Sequence, residues 1–276
     1  MVTAADTTQA PGVRHEAFRD LAYGPAARNV LDLYLPEGAA HPPLVLFIHG
    51  GSWFRGDKEQ VFRNARLDAM LAQGLAVAAM NHRYSQEALW PAQRDDVLAA
   101  LRFLRAGDYG YDLGRLGVWG QSSGAHLALW AGVLAAQGDV APVSAIVGWF
   151  PPCNLHRLWH DRAADDVPRG NEGELIPTPE SRLLGVDAQA NKPLADAASP
   201  DIAIAALDTS LAFPPTLLVH GDADPAVSPL QSARVRDVLA SRGGEVDLIS
   251  IAGGGHGGEA FDAAVAPCVS FLAAYL

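Results

Sequence analysis

The chain has 276 residues and a formal net charge of −11, with no cluster of lysine and arginine, which excludes a protein that tracks nucleic-acid phosphates. Apolar residues make up 49% of it, enough for the core of one large domain spanning 1–276, and no apolar run approaches the ~18 residues of a membrane span. Met1 to Gly12 is polar and lacks the basic and apolar regions of a signal peptide, so the expected location is cytoplasmic.

Val13–Tyr23 mixes apolar and charged residues and reads as an edge strand. Val30–Leu35 alternates, with Leu31, Leu33 and Leu35 on one side, as a half-exposed strand does. Pro42-Pro43 opens Leu44–Ile48, a continuous apolar run suited to a central parallel strand covered on both faces. Lys58–Ala72 reads as one helix and Leu75–Met80 as a second buried strand. A helix runs from Pro91 through Arg105, with Val97, Leu98, Leu101 and Leu104 on its apolar face. Arg115–Trp119 is a strand, Ser122–Ala136 a helix and Val143–Trp149 another buried strand. From Pro151 to about Ala206 periodicity gives way to prolines, charges and the landmarks His156, Trp159 and His160. So long a stretch without clear elements reads as a lid or binding loop. Regularity returns with strand Thr216–His220, helix Pro229–Arg242, strand Glu245–Ile251 and helix Gly258–Leu276. Alternating strands and helices predict an α/β class, doubly wound and mostly parallel, whose sites form beyond the carboxyl ends of the strands. Cys153 and Cys268 lie far apart, in no metal-type spacing, and are read as buried thiols.

Every residue set suited to chemistry falls at such a strand end. Gly120-Gln121-Ser122-Ser123-Gly124 is a Gly-x-Ser-x-Gly between a strand and a helix, the context that exposes a serine hydroxyl on a tight turn. Ser122 is the candidate nucleophile and needs a base in reach. His256, in a glycine-rich loop after the last strand, is the candidate base. The acid belongs between them in sequence, where Asp222 and Asp224 compete; Asp224, nearer the loop tip, is placed to reach His256, and Asp222 to brace its own turn. His49-Gly50-Gly51-Ser52-Trp53 follows a buried strand and leaves backbone N–H groups exposed. The N–H groups of Gly51, Ser52 and Ser123 are the candidate oxyanion donors. Trp53, His156 and Trp159 are candidate pocket residues, and His82 and His160 are further histidines able to line that pocket. The sequence holds no metal-ligand set, phosphate loop or dinucleotide fingerprint, so neither metal nor cofactor is expected.

These motifs together resemble the α/β-hydrolase superfamily of serine esterases. More narrowly, Val30-Leu31-Asp32-Leu33-Tyr34-Leu35-Pro36, His49-Gly50-Gly51-Ser52-Trp53 and Gly56-Asp57-Lys58 resemble the carboxylesterase branch containing hormone-sensitive-lipase-like enzymes, feruloyl and acetyl-xylan esterases and kynurenine formamidase. The resemblance implies an eight-stranded, mostly parallel sheet flanked by helices, with a small lid insertion at 151–206. It implies Ser122 as nucleophile, Asp224 as acid and His256 as base. Lipase-like members carry His-Gly-Gly-Gly, whereas Ser52 stands at the fourth position here and leans the pattern toward the feruloyl-esterase and formamidase branches. The expected activity is hydrolysis of small or aromatic acyl esters. The alternatives are an arylformamidase, with the same triad and another leaving group, and an inactive hydrolase fold used for binding. A small-molecule ester is the expected partner, with no nucleic acid or membrane, and the chain is expected as a monomer or homodimer.

Overall fold

The computed structural model describes residues 13–169 and 177–276. Eight strands form one sheet: β1 (His15–Ala22), β2 (Val30–Pro36), β3 (Pro43–Ile48), β4 (Ala76–Met80), β5 (Asp112–Gln121), β6 (Ala145–Trp149), β7 (Thr216–Gly221) and β8 (Val246–Ile251). Their spatial order is β1-β2-β4-β3-β5-β6-β7-β8. Only the β1–β2 and β2–β4 pairs are antiparallel; from β4 to β8 the sheet is parallel.

Period-two alternation decides which face each side chain enters. Along β3, Leu44, Leu46 and Ile48 join one apolar layer while Val45 and Phe47 join the other. The first layer is covered by α2 (Ala92–Ala106), α3 (Ser123–Ala136) and α8 (Pro229–Ser241), through residues such as Val97, Leu127 and Val235. The second is covered by α1 (Arg66–Ala72) and α9 (Asp262–Tyr275), through Leu67, Met70, Cys268 and Leu272. Both faces of the central strands are therefore buried, as their unbroken apolar runs require. Cys153 and Cys268 are free, buried thiols.

The chain leaves β3 to build β4 on one side, then returns to build β5 on the other. That reversal opens a crevice beyond the carboxyl ends of β3 and β5. The loops after β6, β7 and β8 reach the same end of the sheet.

Three stretches differ from the sequence reading. Val30–Leu35 is not half-exposed: Leu31, Asp32, Leu33 and Tyr34 are all buried, because β2 lies between β1 and β4 and both its faces are covered. Lys58–Ala72 is not one helix: a 3-10 segment, Lys58–Ala65, breaks before α1 because Arg63 is extended and Asn64 and Ala65 have φ of 56° and 51°. Asn64 Nδ2 donates to Gly258 O and Asp262 Oδ1 at 3.1 and 2.6 Å, which ties the break to the loop before α9. The described residues of 151–206 carry four short helices, α4 (Leu158–Ala164), α5 (Pro179–Leu184), α6 (Lys192–Ala197) and α7 (Pro200–Ala206). Residues 170–176 of that stretch lie outside the described residues. Among the described residues no helix is long and apolar enough to cross a membrane.

Candidate active site

β5 passes into α3 through Ser122, whose φ and ψ are 53° and −124°. A non-glycine residue held there is strained, and the surrounding contacts must enforce it. Close approach explains the flanking glycines: a Cβ on Gly120 would sit 2.1 Å from Gly124 O, and one on Gly124 would sit 2.1 Å from Ile48 O. Ser122 N donates to Trp149 O at 2.8 Å, which pins the turn to β6. α3 starts at Ser123, so Ser122 stands at the N-terminus of a helix buried almost all round.

His256 Nε2 lies 2.9 Å from Ser122 Oγ and His256 Nδ1 lies 2.6 Å from Asp224 Oδ2. Asp224 can only accept, so Nδ1 carries the proton and Nε2 is free to accept from the serine hydroxyl. Asp224 Oδ1 accepts from Ala226 N and Val227 N at 2.8 and 3.0 Å. A second histidine, His220, places Nε2 3.3 Å from Asp224 Oδ2 and 3.0 Å from Val227 O. Both are acceptors, so His220 donates through Nε2 and takes the Ser232 hydroxyl proton on Nδ1 at 2.7 Å. Burial pushes the Asp224 carboxyl up, but the bonds from His220 and His256 and their charges outweigh it and hold it well below the usual carboxylate range. Asp222 braces the same loop, accepting from Gly253 N at 2.7 Å.

The glycine loop after β3 completes the constellation. Among the described residues, the N–H groups of Gly51, Ser52 and Ser123 have no protein acceptor. Ser52 and Trp53 have φ of 56° and 59°, so the loop curls left-handed beside the elbow. His49 Nδ1 donates to Gly50 O at 2.8 Å, and the His49 ring stacks on His82 with centroids 4.5 Å apart.

Of the three expected pocket residues, Trp53 lies in an apolar cluster, while His156 and Trp159 flank His160 with ring centroids 6.0 and 5.4 Å from it. Trp53 is 2% exposed and packs with Leu155, Leu158, Leu183, Leu184 and Ala198, anchoring the 151–206 stretch. Its indole N–H donates to His126 Nδ1 at 3.3 Å. His156 is half-buried, with Nδ1 3.3 Å from Ala188 O, and Trp159 is exposed at the edge of His160. Neither hydrogen-bonds to Ser122, Asp224 or His256. His82, another histidine expected at the pocket, is wholly buried behind the glycine loop.

Phe150 was not legible as a site residue. Its ring packs on that of His256 with centroids 4.3 Å apart, and its φ is 42°. Its position directly after β6, at the same sheet end as the serine, was the available signal.

Residues 31–239 match the family model BD-FAE. Among curated proteins, the chain is 27% identical over 259 residues to isoprenylcysteine alpha-carbonyl methylesterase ICME of Arabidopsis thaliana, covering 86% of this chain and 56% of that protein. It is 27% identical over 236 residues to esterase LipQ of Mycobacterium tuberculosis, covering 81% and 53%. The chain thus spans about half the length of these curated relatives. A solved structure described as a truncated carbohydrate esterase from gut microbiota superposes with a TM-score of 0.80 at 27% identity, covering 96% of this chain and 99% of that one. The architecture is that of the α/β-hydrolase fold.

Proposed function

The chain belongs to the BD-FAE family, and from that premise we propose that it is a serine carboxylic-ester hydrolase acting on small or aromatic acyl esters. The observation that carries this reading is the unbroken chain Ser122 Oγ–His256–Asp224. Ser122 attacks the acyl carbonyl as His256 Nε2 takes the hydroxyl proton. Asp224 holds the imidazole in the needed tautomer and balances the charge it gains. The N–H groups of Gly51, Ser52 and Ser123 receive the oxyanion. His256 then protonates the departing alkoxide, and water, deprotonated by the same imidazole, releases the acid from the acyl-enzyme. Relatives named as a methylesterase and a carbohydrate esterase support ester cleavage. The Phe150 ring against His256 supports a flat or short acyl group beside the base.

A p-nitrophenyl ester series from acetate to decanoate tests the substrate class. The expected result is that kcat/KM falls as the acyl chain lengthens past the short members. Equal turnover across the series contradicts the size preference.

A further inference from the structure

Behind the elbow and the glycine loop lies a line of polar side chains that takes no part in the steps above. It begins at Arg66, which is fully buried. Its guanidinium lies over the rings of Phe47 and Trp149, 4.9 and 5.2 Å from their centroids. Burial, with the charge of Arg63 adding to it, draws the Arg66 pKa down to about 9, which leaves it cationic at neutral pH. Its acceptors are three neutral oxygens: Gln121 Oε1, Gln60 O and Arg63 O.

An arginine only donates, and this gives the line a direction. Gln121 must turn Oε1 toward Arg66, so its Nε2 points outward and donates to Gln60 Oε1. The Gln60 amide is then fixed as well. Its Oε1 also accepts from Gly50 N at 3.2 Å, and its Nε2 donates to Gly50 O at 3.2 Å. Gln60 thus brackets one glycine with both ends of its amide. The approach is close: a Cβ on Gly50 would sit 2.9 Å from Gln121 O and 3.1 Å from Ser122 Cβ.

The consequence lies one atom further on. In a trans peptide the C=O and N–H point to opposite sides. Bonds that hold Gly50 O, from Gln60 Nε2 at 3.2 Å and from His49 Nδ1 at 2.8 Å, therefore set the direction of Gly51 N–H. We propose that Arg66, Gln121 and Gln60 are positioning residues that lock the Gly50–Gly51 peptide with the Gly51 N–H turned to the oxyanion position beside Ser122. The inference rests on the ester-hydrolase reading above. It adds that the anion site is held formed from behind, through the residue that precedes the nucleophile.

Gln60→Met and Gln121→Met keep side-chain length and remove the amides. Each is compared with the parent protein and Ser122→Ala by p-nitrophenyl acetate kinetics, unfolding midpoint and amide hydrogen exchange. The relay predicts that kcat falls about tenfold or more, toward the roughly 10²–10³-fold loss seen when one oxyanion donor is removed. KM stays within about twofold and the pH–rate profile keeps its midpoint, since Ser122, His256 and Asp224 are untouched. The double variant costs no more than the worse single one, because both act through one peptide. In Gln60→Met the Gly50 amide exchanges faster while the fold persists. Folded variants with faster Gly50 exchange and unchanged kcat overturn the relay, as does a loss carried by KM or by a shifted pH profile. If Gln60→Met fails to fold, Gln121→Met decides by the same readouts. Parent protein no faster than Ser122→Ala overturns the ester reading itself, and the relay with it.

Discussion

The carboxylate of Asp224 is wholly buried; it accepts from two backbone N–H groups on Oδ1 and from His256 on Oδ2, and His220 Nε2 lies 3.3 Å from that same Oδ2. Such a carboxylate stays ionised and cannot swing, so the imidazole it holds keeps one tautomer. His220 is the donor that chemistry alone does not require. Its removal in His220→Ala takes a polar contact at 3.3 Å from a buried charge and frees Val227 O, so kcat/KM is expected to drop about tenfold, equivalent to about 1.4 kcal/mol. KM is expected to stay within about twofold, because His220 faces the carboxylate and not the bound ester. An unchanged kcat/KM places His220 outside the site's electrostatics. At this scale the proximity of Ser122, Asp224 and His256 was legible in the sequence, because a suitable residue type coincides with a strand end at each. For His220 the sequence offered only a histidine closing a strand and able to orient neighbouring loops, and it was silent on Phe150 and Arg66, whose contacts join loops distant along the chain.

Among elements, the central strands β3, β4 and β6 were the most readable, because burial on both faces leaves an unbroken apolar run. The helices of 151–206 were hidden. Each spans fewer than two turns, too short for a periodic pattern to repeat. A different signal was present: Thr178-Pro179, Asn191-Lys192-Pro193 and Ser199-Pro200 place a capping residue before an early proline, and α5, α6 and α7 begin there. The prolines that read as interruptions are helix starts. Trp53 packs against this stretch through Leu155, Leu158, Leu183 and Leu184. Trp53→Ala is expected to cost about 3–5 kcal/mol in urea unfolding and to raise proteolytic cleavage within 151–206 before the rest of the chain. A cost under about 1 kcal/mol would show the stretch to be held elsewhere.

The whole molecule carries an acid sensitivity in the same region. His82 and His126 are fully buried, and burial lowers each to about 4; His49, stacked on His82, lies well below the ordinary value for the same reason. In the unfolded chain these imidazoles take protons near pH 6.5. The unfolded state therefore binds more protons below that pH, and stability falls as pH drops from about 6.5 toward 4, by about 1.4 kcal/mol per pH unit for each group. Above about 6.5 these groups contribute no pH dependence. Urea midpoints at pH 7 and pH 5 check the sign: a clear fall at pH 5 is expected, and equal midpoints contradict neutral burial of the three rings.

The chain's central claim is that one strained serine, served by His256 and Asp224, opens an ester. The most direct measurement is p-nitrophenyl acetate hydrolysis by the parent protein and Ser122→Ala side by side, with fluorophosphonate labelling of both. Turnover in the parent that drops by about 10³-fold or more in the variant, with label confined to Ser122, is the predicted result. Activity that survives Ser122→Ala, or a parent protein that neither turns over nor takes the label, contradicts it.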